Sequence, residues 1–385
     1  MKLAFLLAYK NLIGAGVRTW LNVGVLTFAF WVILFYNGLL DGWNQQARRA
    51  TIAWEYGEGQ IWYKGYDPLD PFSIQDAHGV WPNATKDAVP VLIRSAALYP
   101  QNRMIQVSLV GISRNQTKLA LPTKTFSDDS SSDVPAIIGK RMAESAKLKK
   151  GDQVLLRWRD QNGTFDAANI TIAEVFKTDV PTVDQGKIWI PIERLWEMTG
   201  LQNHASYYVF GDKNVQNLDQ HWVLMPQEKL LSDLDAIIAS KKTGSAIMYL
   251  LLLAIALLAI FDTQVLSVFR RQREIGTYIA LGMTRWQVVG IFTVEGSMYS
   301  FFAMLVGVVL GAPFLGYVAQ KGIAFPASSQ DFGIAMAERV FPVFGFQLVV
   351  FTIALVVISA TIVSFFPARR IARMNPVDAL KGKIV

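Results

Sequence analysis

The 385-residue chain contains no cysteine and only three histidines. Without cysteine there is no disulfide framework, thiolate nucleophile, iron–sulfur cluster or cysteine-ligated zinc. His78, His204 and His221 stand far apart and show no H-x-x-x-H spacing. Neither a histidine metal site nor a Ser-His-Asp triad is indicated, and no metal ligand or catalytic residue is assigned. The G-x-x-x-x-G-K-[ST] phosphate loop is also missing, so any ATP-driven activity would draw on a nucleotide site in a partner. Charge is scarce: Asp, Glu, Lys and Arg make up 17% of the chain, against roughly a quarter in soluble globular proteins. A water-soluble enzyme is therefore disfavoured.

What the sequence has instead is apolar mass, 52% of residues, gathered in four runs. Residues 20–40 carry no charge, and at about 1.5 Å per residue they span roughly 31 Å, the thickness of a bilayer core. The run exceeds the apolar region of a cleaved signal peptide, and no small-residue cleavage site follows, so it reads as a retained anchor. The second run, 244–269, is interrupted only by Asp262 and stops at Arg270-Arg271-Gln272-Arg273. The third begins near Trp286, covers 288–318 and holds one acid, Glu295. The fourth, 341–366, is uncharged and stops at Pro367. Each is long enough for a spanning helix.

Basic residues collect beside these runs: Lys2, Lys10 and Arg18 before the first; Arg270, Arg271, Arg273 and Arg285 between the second and third; Arg369, Arg370, Arg373, Lys381 and Lys383 after the fourth. Positive loops stay in the cytoplasm, and four crossings put all three basic segments on that side. Both termini are then cytoplasmic. The net charge of +7 reflects topology, not a nucleic-acid surface. The expected fold class is membrane α-helical, four transmembrane helices with a large extracytoplasmic α+β domain. Its parts are an amphipathic lead-in helix at 1–19, transmembrane helix 20–40, an outside domain with stalk at 41–243, transmembrane helix 244–269, a cytoplasmic helix at 270–287, transmembrane helix 288–318, an outside loop at 319–340, transmembrane helix 341–366 and a cytoplasmic tail at 367–385.

Within 41–243 the composition turns polar, with turn-forming stretches such as Asp67-Pro68-Leu69-Asp70-Pro71 and the Ser/Asp tract 127–133. Strands are expected at 106–110, 153–158, 170–176 and 187–191, with Asn162-Gly163 as a turn between the second and third. Short helices are expected at 140–146 and 193–199. Leu230, Leu231, Leu234, Ile237 and Ile238 make the apolar stripe of an amphipathic helix, which fits either a stalk continuous with the second run or a helix docked on the domain's own core. N-x-[ST] sequons begin at Asn83, Asn115, Asn162 and Asn169, a pattern that chance readily produces.

The segment 267–288 holds Arg271, Arg273-Glu274-Ile275-Gly276, Ala280, Gly282 and Val288 in the spacing R-x-R-E-I-G-x-x-x-A-x-G-x-x-x-x-x-I. It resembles the cytoplasmic motif of the FtsX/MacB/LolC-like permease superfamily. Pro367-Ala368 with Pro376, Ala379 and Leu380 resembles that family's C-terminal ending, and Ala8-Tyr9-Lys10-Asn11-Leu12 its leading A-x-R-N-L, with Lys10 in place of the usual arginine. Outside the membrane, Gly59-Gln60-Ile61 with Gly65-Tyr66, and Ile137 to Ala143 followed by Leu148 to Val154, are similar to the LolC/LolE-like branch, although a histidine of that branch's first motif is absent.

The resemblance implies a non-catalytic permease subunit of the bacterial inner membrane. It pairs with a second permease copy or a homologous permease and sits on two cytoplasmic ABC ATPase subunits, which hold ATP and Mg; this chain itself carries no cofactor. ATP-driven motion would reach the outside domain and serve extraction of lipoprotein or lipid-linked cargo, with a periplasmic carrier or adaptor as a further partner. MacB-like efflux and FtsX-like signalling to cell-wall hydrolases are the alternatives, and the large insert favours transport over signalling. Nucleic acid is not expected as a partner.

On the same resemblance the ATPase-coupling residues are Arg270, Arg271, Arg273, Glu274, Ile275, Gly276, Ala280, Leu281, Gly282 and Arg285. They fit a short helix over 275–287 with Ile275, Ile279, Leu281 and Val288 on its apolar face and glycines that allow close approach or a turn. The plainer reading makes the arginines interfacial anchors. Asp262 and Glu295, acids inside apolar runs, read as a polar network that shifts between the second and third helices or as a static interhelical hydrogen bond. Gly307 and Gly311 form a G-x-x-x-G packing pair. Phe28, Trp31 and Phe35 suit a cargo surface or, residue by residue, a lipid-facing belt.

Overall fold

The computed structural model describes residues 17–82, 84, 87–126, 133–210, 218–325, 337 and 339–373. The expected lead-in helix up to residue 16, the Asn83 sequon, most of the Ser/Asp tract and the 376–380 ending lie outside the described residues. In chain order the helices of seven residues or more are α1 (Val17–Thr51), α2 (Lys140–Ala146), α3 (Ile192–Thr199), α4 (Ser232–Arg270), α5 (Gln272–Ala280), α6 (Arg285–Lys321) and α7 (Phe346–Ala368). Four of them, α1, α4, α6 and α7, are long and apolar enough to cross a membrane. A helix satisfies its own backbone, which is why apolar runs of this length take that form in lipid. The chain divides into two units, one of Met1–Gly42, Ile238–Ile323 and Val340–Val385, the other of Trp43–Ile237 and Ala324–Arg339.

The first unit is a helix bundle around Leu26, Phe30, Ile260, Ala303, Val356 and Ala360. Its seam between α1 and α6 runs over Gly307 and Gly311. A Cβ at Gly307 would lie 3.1 Å from Phe30, and one at Gly311 would strike the Trp31 indole. Trp31 Nε1 donates to the Gly307 carbonyl at 3.0 Å. Trp31, expected on an open cargo or lipid surface, is thus half-buried in the seam, because an indole N–H among apolar helices needs an acceptor and the glycines let it reach one. Phe35 is also half-buried against this core, whereas Phe28 is 58% exposed. Asn22 donates to Thr263 Oγ1 at 2.6 Å and Thr27 to the Ala303 carbonyl at 3.1 Å. Lys242 Nζ pairs with Asp41 Oδ1 at 2.6 Å.

Helix bounds differ from the apolar runs. The first helix continues from residue 40 to Thr51, α4 passes through 243–244 without a break, and α7 starts at Phe346 and not at 341. Hydropathy marks what suits lipid, whereas helix ends are set by caps and backbone partners, such as the Val343 N–H donating to the Gly38 carbonyl at 2.8 Å.

The second unit is built on nine strands, β1 (Gly59–Tyr63), β2 (Val89–Tyr99), β3 (Ile105–Ile112), β4 (Val134–Gly139), β5 (Gln153–Arg159), β6 (Phe165–Phe176), β7 (Lys187–Pro191), β8 (Tyr207–Phe210) and β9 (Trp222–Pro226). Their order is β3-β7-β4-β6-β5-β2-β8-β1-β9, and β3 also pairs with β2. That extra pairing closes β2-β3-β7-β4-β6-β5 into a ring and leaves β8-β1-β9 as a wing. β2 makes this arrangement by dividing one edge: Val89 to Val91 pair with β8, Ala96 to Tyr99 with β5, while β3 runs along its other edge. Its alternation serves two cores, Leu92, Ala96 and Leu98 in one, Val89, Val91 and Ile93 in the other. Met142 of α2 and Leu195 of α3 seal the first core. The four strands expected from sequence lie within β3, β5, β6 and β7, and the turn between β5 and β6 is closed by Gly163 N–H on the Asp160 carbonyl. Gly139, at the end of β4, has no room for a Cβ because Asp184 lies against it; Asp184 accepts from the Arg141 backbone at 3.0 Å and from its Nη1 at 2.7 Å.

Two tests follow from packing and charge. Gly311→Leu should cost about 1–3 kcal/mol through overpacking at Trp31, whereas Gly316→Leu, with open space around it, should not; thermal unfolding in detergent reads the difference. In the second unit the Nδ1 atoms of His78 and His204 are 2.9 Å apart. Burial first, then Arg94 and His204, lower the His78 pKa to about 4. The folded state therefore resists this proton, and stability is lost as pH falls from about 6.5 towards about 4, where only the unfolded chain binds it. The melting temperature of His78→Phe should fall less over that window than that of the parent chain.

Candidate coupling site

The connection between α4 and α6 is built by local signals. Arg271, at φ −106° and ψ 23°, breaks the helix after Arg270, and α5 begins at Gln272. Gly282 closes α5 with φ 96°, a conformation that favours glycine; its N–H donates to the Ile279 carbonyl and that of Met283 to the Tyr278 carbonyl, both at 3.1 Å. Thr284 then caps α6 through a reciprocal pair, Gln287 N–H to Thr284 Oγ1 at 3.3 Å and Thr284 N–H to Gln287 Oε1 at 2.8 Å. The helix expected over 275–287 is accordingly corrected to a nine-residue helix, Gln272–Ala280, followed by a tight turn. Val288 already belongs to α6.

One face of this elbow is apolar and covered. Ile275 is fully buried, and Tyr278, Ile279 and Met283 pack beside it on Val268, Val288, Val289, Phe292, Ala368 and Ile371. Gly276 is buried as well. The other face is open: Arg270, Arg273, Glu274, Ala280, Gly282 and Arg285 are exposed, with Leu281 at 78% and Trp286 at 61% exposure. Leu281, expected on the covered face, is instead turned out, because it stands at the C-cap of α5, two residues after Ile279 and off the i, i+4 face that carries Ile275 and Ile279. The outward surface thus sets two large apolar side chains among arginines.

Arg271 separates from the other arginines. Its Nη1 donates to Glu295 Oε2 at 2.8 Å and Oε1 at 3.1 Å, its Nε donates to Glu274 Oε2 at 2.7 Å, and its guanidinium lies 4.8 Å from the centre of the Phe292 ring. Glu295 is 6% exposed, while Asp262 is exposed on α4. The two acids differ in exposure, and Glu295 is tied to the elbow through Arg271. An acid on an apolar helix is tolerable only when compensated, and the break at residue 271 carries the compensating charge to it.

Sequence reasoning passed over Gln264. Its side chain is 1% exposed and neither its Nε2 nor its Oε1 has a hydrogen-bond partner; a Cβ at Gly296 would come within 3.0 Å of Nε2 and would strike Ser364. The only signal was a lone amide inside the apolar run 244–269. Among the described residues no group of three or more His, Asp or Glu is placed to hold a metal. The elbow is open on one face and bonded inward on the other, where the Arg271–Glu295 pair joins the end of α4 to α6. Glu295→Ala should destabilise the protein by about 1–3 kcal/mol, since Arg271 loses its buried partner and keeps only the exposed Glu274, and Arg271→Lys should recover part of what Arg271→Ala loses; denaturation in detergent measures both.

Residues 246–376 match the family model of the FtsX-like permease C-terminal domain. An uncharacterized ABC transporter permease of Methanocaldococcus jannaschii is 28% identical over 174 residues, 45% of this chain and 39% of that protein. The lipoprotein-releasing system transmembrane protein LolC of Xylella fastidiosa (strain 9a5c) is 24% identical over 319 residues, 75% of this chain and 76% of LolC. The match thus spans about two fifths of the archaeal relative's length and three quarters of LolC's. The crystallised extracellular domain of the noncanonic ABC-type transporter YknZ from Gram-positive bacteria aligns with 41% of this chain and 84% of its own at 14% identity and a TM-score of 0.24, a likeness too slight to add to the fold described above. Over residues 246–376, which take in the α5 elbow and the Arg271–Glu295 pair, this membrane protein carries an FtsX-like permease domain, with weaker similarity to ABC transporter permeases, LolC among them.

Proposed function

We propose that the chain is the non-catalytic permease subunit of an ABC transporter of the bacterial inner membrane, with both termini in the cytoplasm and the sheet unit outside. Two partner ATPase subunits hold ATP and Mg and press on the α5 elbow, and a second permease copy or a homologous permease completes the assembly. The observation that carries this reading is the two-sidedness of the elbow: Leu281 and Trp286 stand exposed among Arg270, Arg273 and Arg285, while Ile275 and Arg271 bind the same segment to the bundle. An apolar centre flanked by arginine is a suitable surface for a protein groove. The helical path of α4, from Ser232 to Arg270, supports transmission of motion towards the sheet unit. Similarity to LolC extends over 75% of this chain, beyond the permease domain, and supports lipoprotein or lipid-linked molecules of the outer leaflet as the cargo class, handed on to a periplasmic carrier.

Affinity purification of the full chain in nanodiscs, followed by mass spectrometry of proteins and lipids, tests this. An ABC ATPase should be recovered with it, together with lipoprotein. Leu281→Asp with Trp286→Asp should lower ATPase recovery by about tenfold or more and leave the melting temperature of the chain unchanged. Recovery of a cell-wall hydrolase without lipid cargo would move the function to signalling, and absence of any ATPase would overturn the permease reading.

A further inference from the structure

The second unit contains a cavity of about 550 Å3, within the roughly 300–1,000 Å3 of small-molecule pockets. It lies among β1, β2, β7, β8 and β9, the end of α1 and the start of α4. Its walls are largely apolar, with Trp62, Ile93, Val180, Leu234 and Ile237 among them. Trp62 meets Tyr66 edge-on at 5.2 Å between ring centres, and Tyr66 meets Tyr207 at 5.8 Å.

Among the polar groups of this cavity, three phenols stand out. Tyr56, Tyr66 and Tyr207 all line it, and their hydroxyls have no protein partner among the described residues. Burial, with Glu55 adding to it, holds all three phenols above their ordinary pKa, so they remain protonated. Glu55 itself is compensated, by Lys187 Nζ at 3.2 Å and by the Thr182 hydroxyl. At the rim Lys229 and Asp233 offset each other in sign. A site with apolar walls, neutral donors and no net charge selects an apolar ligand that ends in an uncharged acceptor, and disfavours phosphates and carboxylates.

Two further observations point to a lipid. Leu69 lines the cavity and is 87% exposed, and Phe72, in the short helix Pro71–Asp76 just after it, is 82% exposed, so that two large apolar side chains stand open beside the cavity. The walls also lie close to the apolar runs along the sequence: Thr51 follows Leu40 by eleven residues and Ile237 precedes Gly244 by seven. We propose that the cavity holds the acyl chain of a single-chain lipid whose ester or amide carbonyl accepts hydrogen bonds from the Tyr66 and Tyr207 hydroxyls. This site stands apart from the permease reading, since binding to it needs no ATPase.

The test uses the full chain in nanodiscs and a monolaurin analogue with a diazirine in its acyl chain, with labelled peptides mapped after irradiation. Labelling should concentrate on the peptides that contain Tyr66, Tyr207 and Leu234 and should be competed by unlabelled monolaurin. Leu234→Trp, which fills the cavity from α4, should reduce it about tenfold; Ile237→Trp serves if that variant does not fold. Tyr66→Phe with Tyr207→Phe should reduce it about fivefold with the melting temperature unchanged. Labelling confined to the membrane helices, or indifferent to these variants, overturns the proposal. So does competition by tri-leucine amide without competition by monolaurin, which would make the ligand an apolar peptide. Recovery of the ATPase from the same preparations reports on the permease reading independently.

Discussion

A carboxylate inside an apolar bundle has to be compensated, and the way Glu295 meets that requirement organises the membrane unit. Its partner, Arg271, stands where α4 has just ended. Had the helix continued through residue 271, that side chain would have followed the α4 repeat instead of reaching α6. The break therefore does two things. It delivers the guanidinium to Glu295, and it starts α5, which must turn back within a few residues so that α6 can carry Glu295 to the meeting point. Gly282 and the Thr284–Gln287 capping box make that return. Elbow and ion pair are thus one construction, and the buried apolar set of Ile275, Val288, Phe292 and Ile371 closes around it.

The sheet unit rests on a comparable economy. One long strand, β2, has edges enough for three partners, and by pairing with β3 it closes a six-strand ring while leaving room for the β8-β1-β9 wing. Closure removes most exposed edges from a large sheet. It also sets two cores on opposite faces of the same strands. Where the wing diverges from the ring, side chains from several strands face one another without filling the space, and the tyrosine-lined cavity occupies that region.

Much of this was legible in the chain. Four uncharged or nearly uncharged runs required four long helices, and alternation with turn signals marked β3, β5, β6 and β7. The break and turn between the second and third runs were marked by the arginine cluster and glycines, and Gly307 and Gly311 by their own spacing. Other features were not legible, each for a physical reason. β1, β2, β4, β8 and β9 are short or buried on both faces, so period-two alternation is weak in them. Leu281 has the same chemistry as Ile279, and only the end of α5 places one outside and the other against the bundle. Trp31 carries no local mark of its acceptor, which lies 276 residues further on.

The sequence by itself determined the class of molecule: apolar runs too long for a soluble core, charges crowded at their ends, and a polar insert with strand and turn signals. These are properties of composition and near-neighbour spacing, which act before any long-range contact forms. Only the tertiary structure decided which arginine of the 270–285 group faces inward, which acid it neutralises, and which tyrosines share a cavity. Those outcomes depend on distances between residues far apart in the chain, and a distance of that kind exists only once the helices and strands have packed.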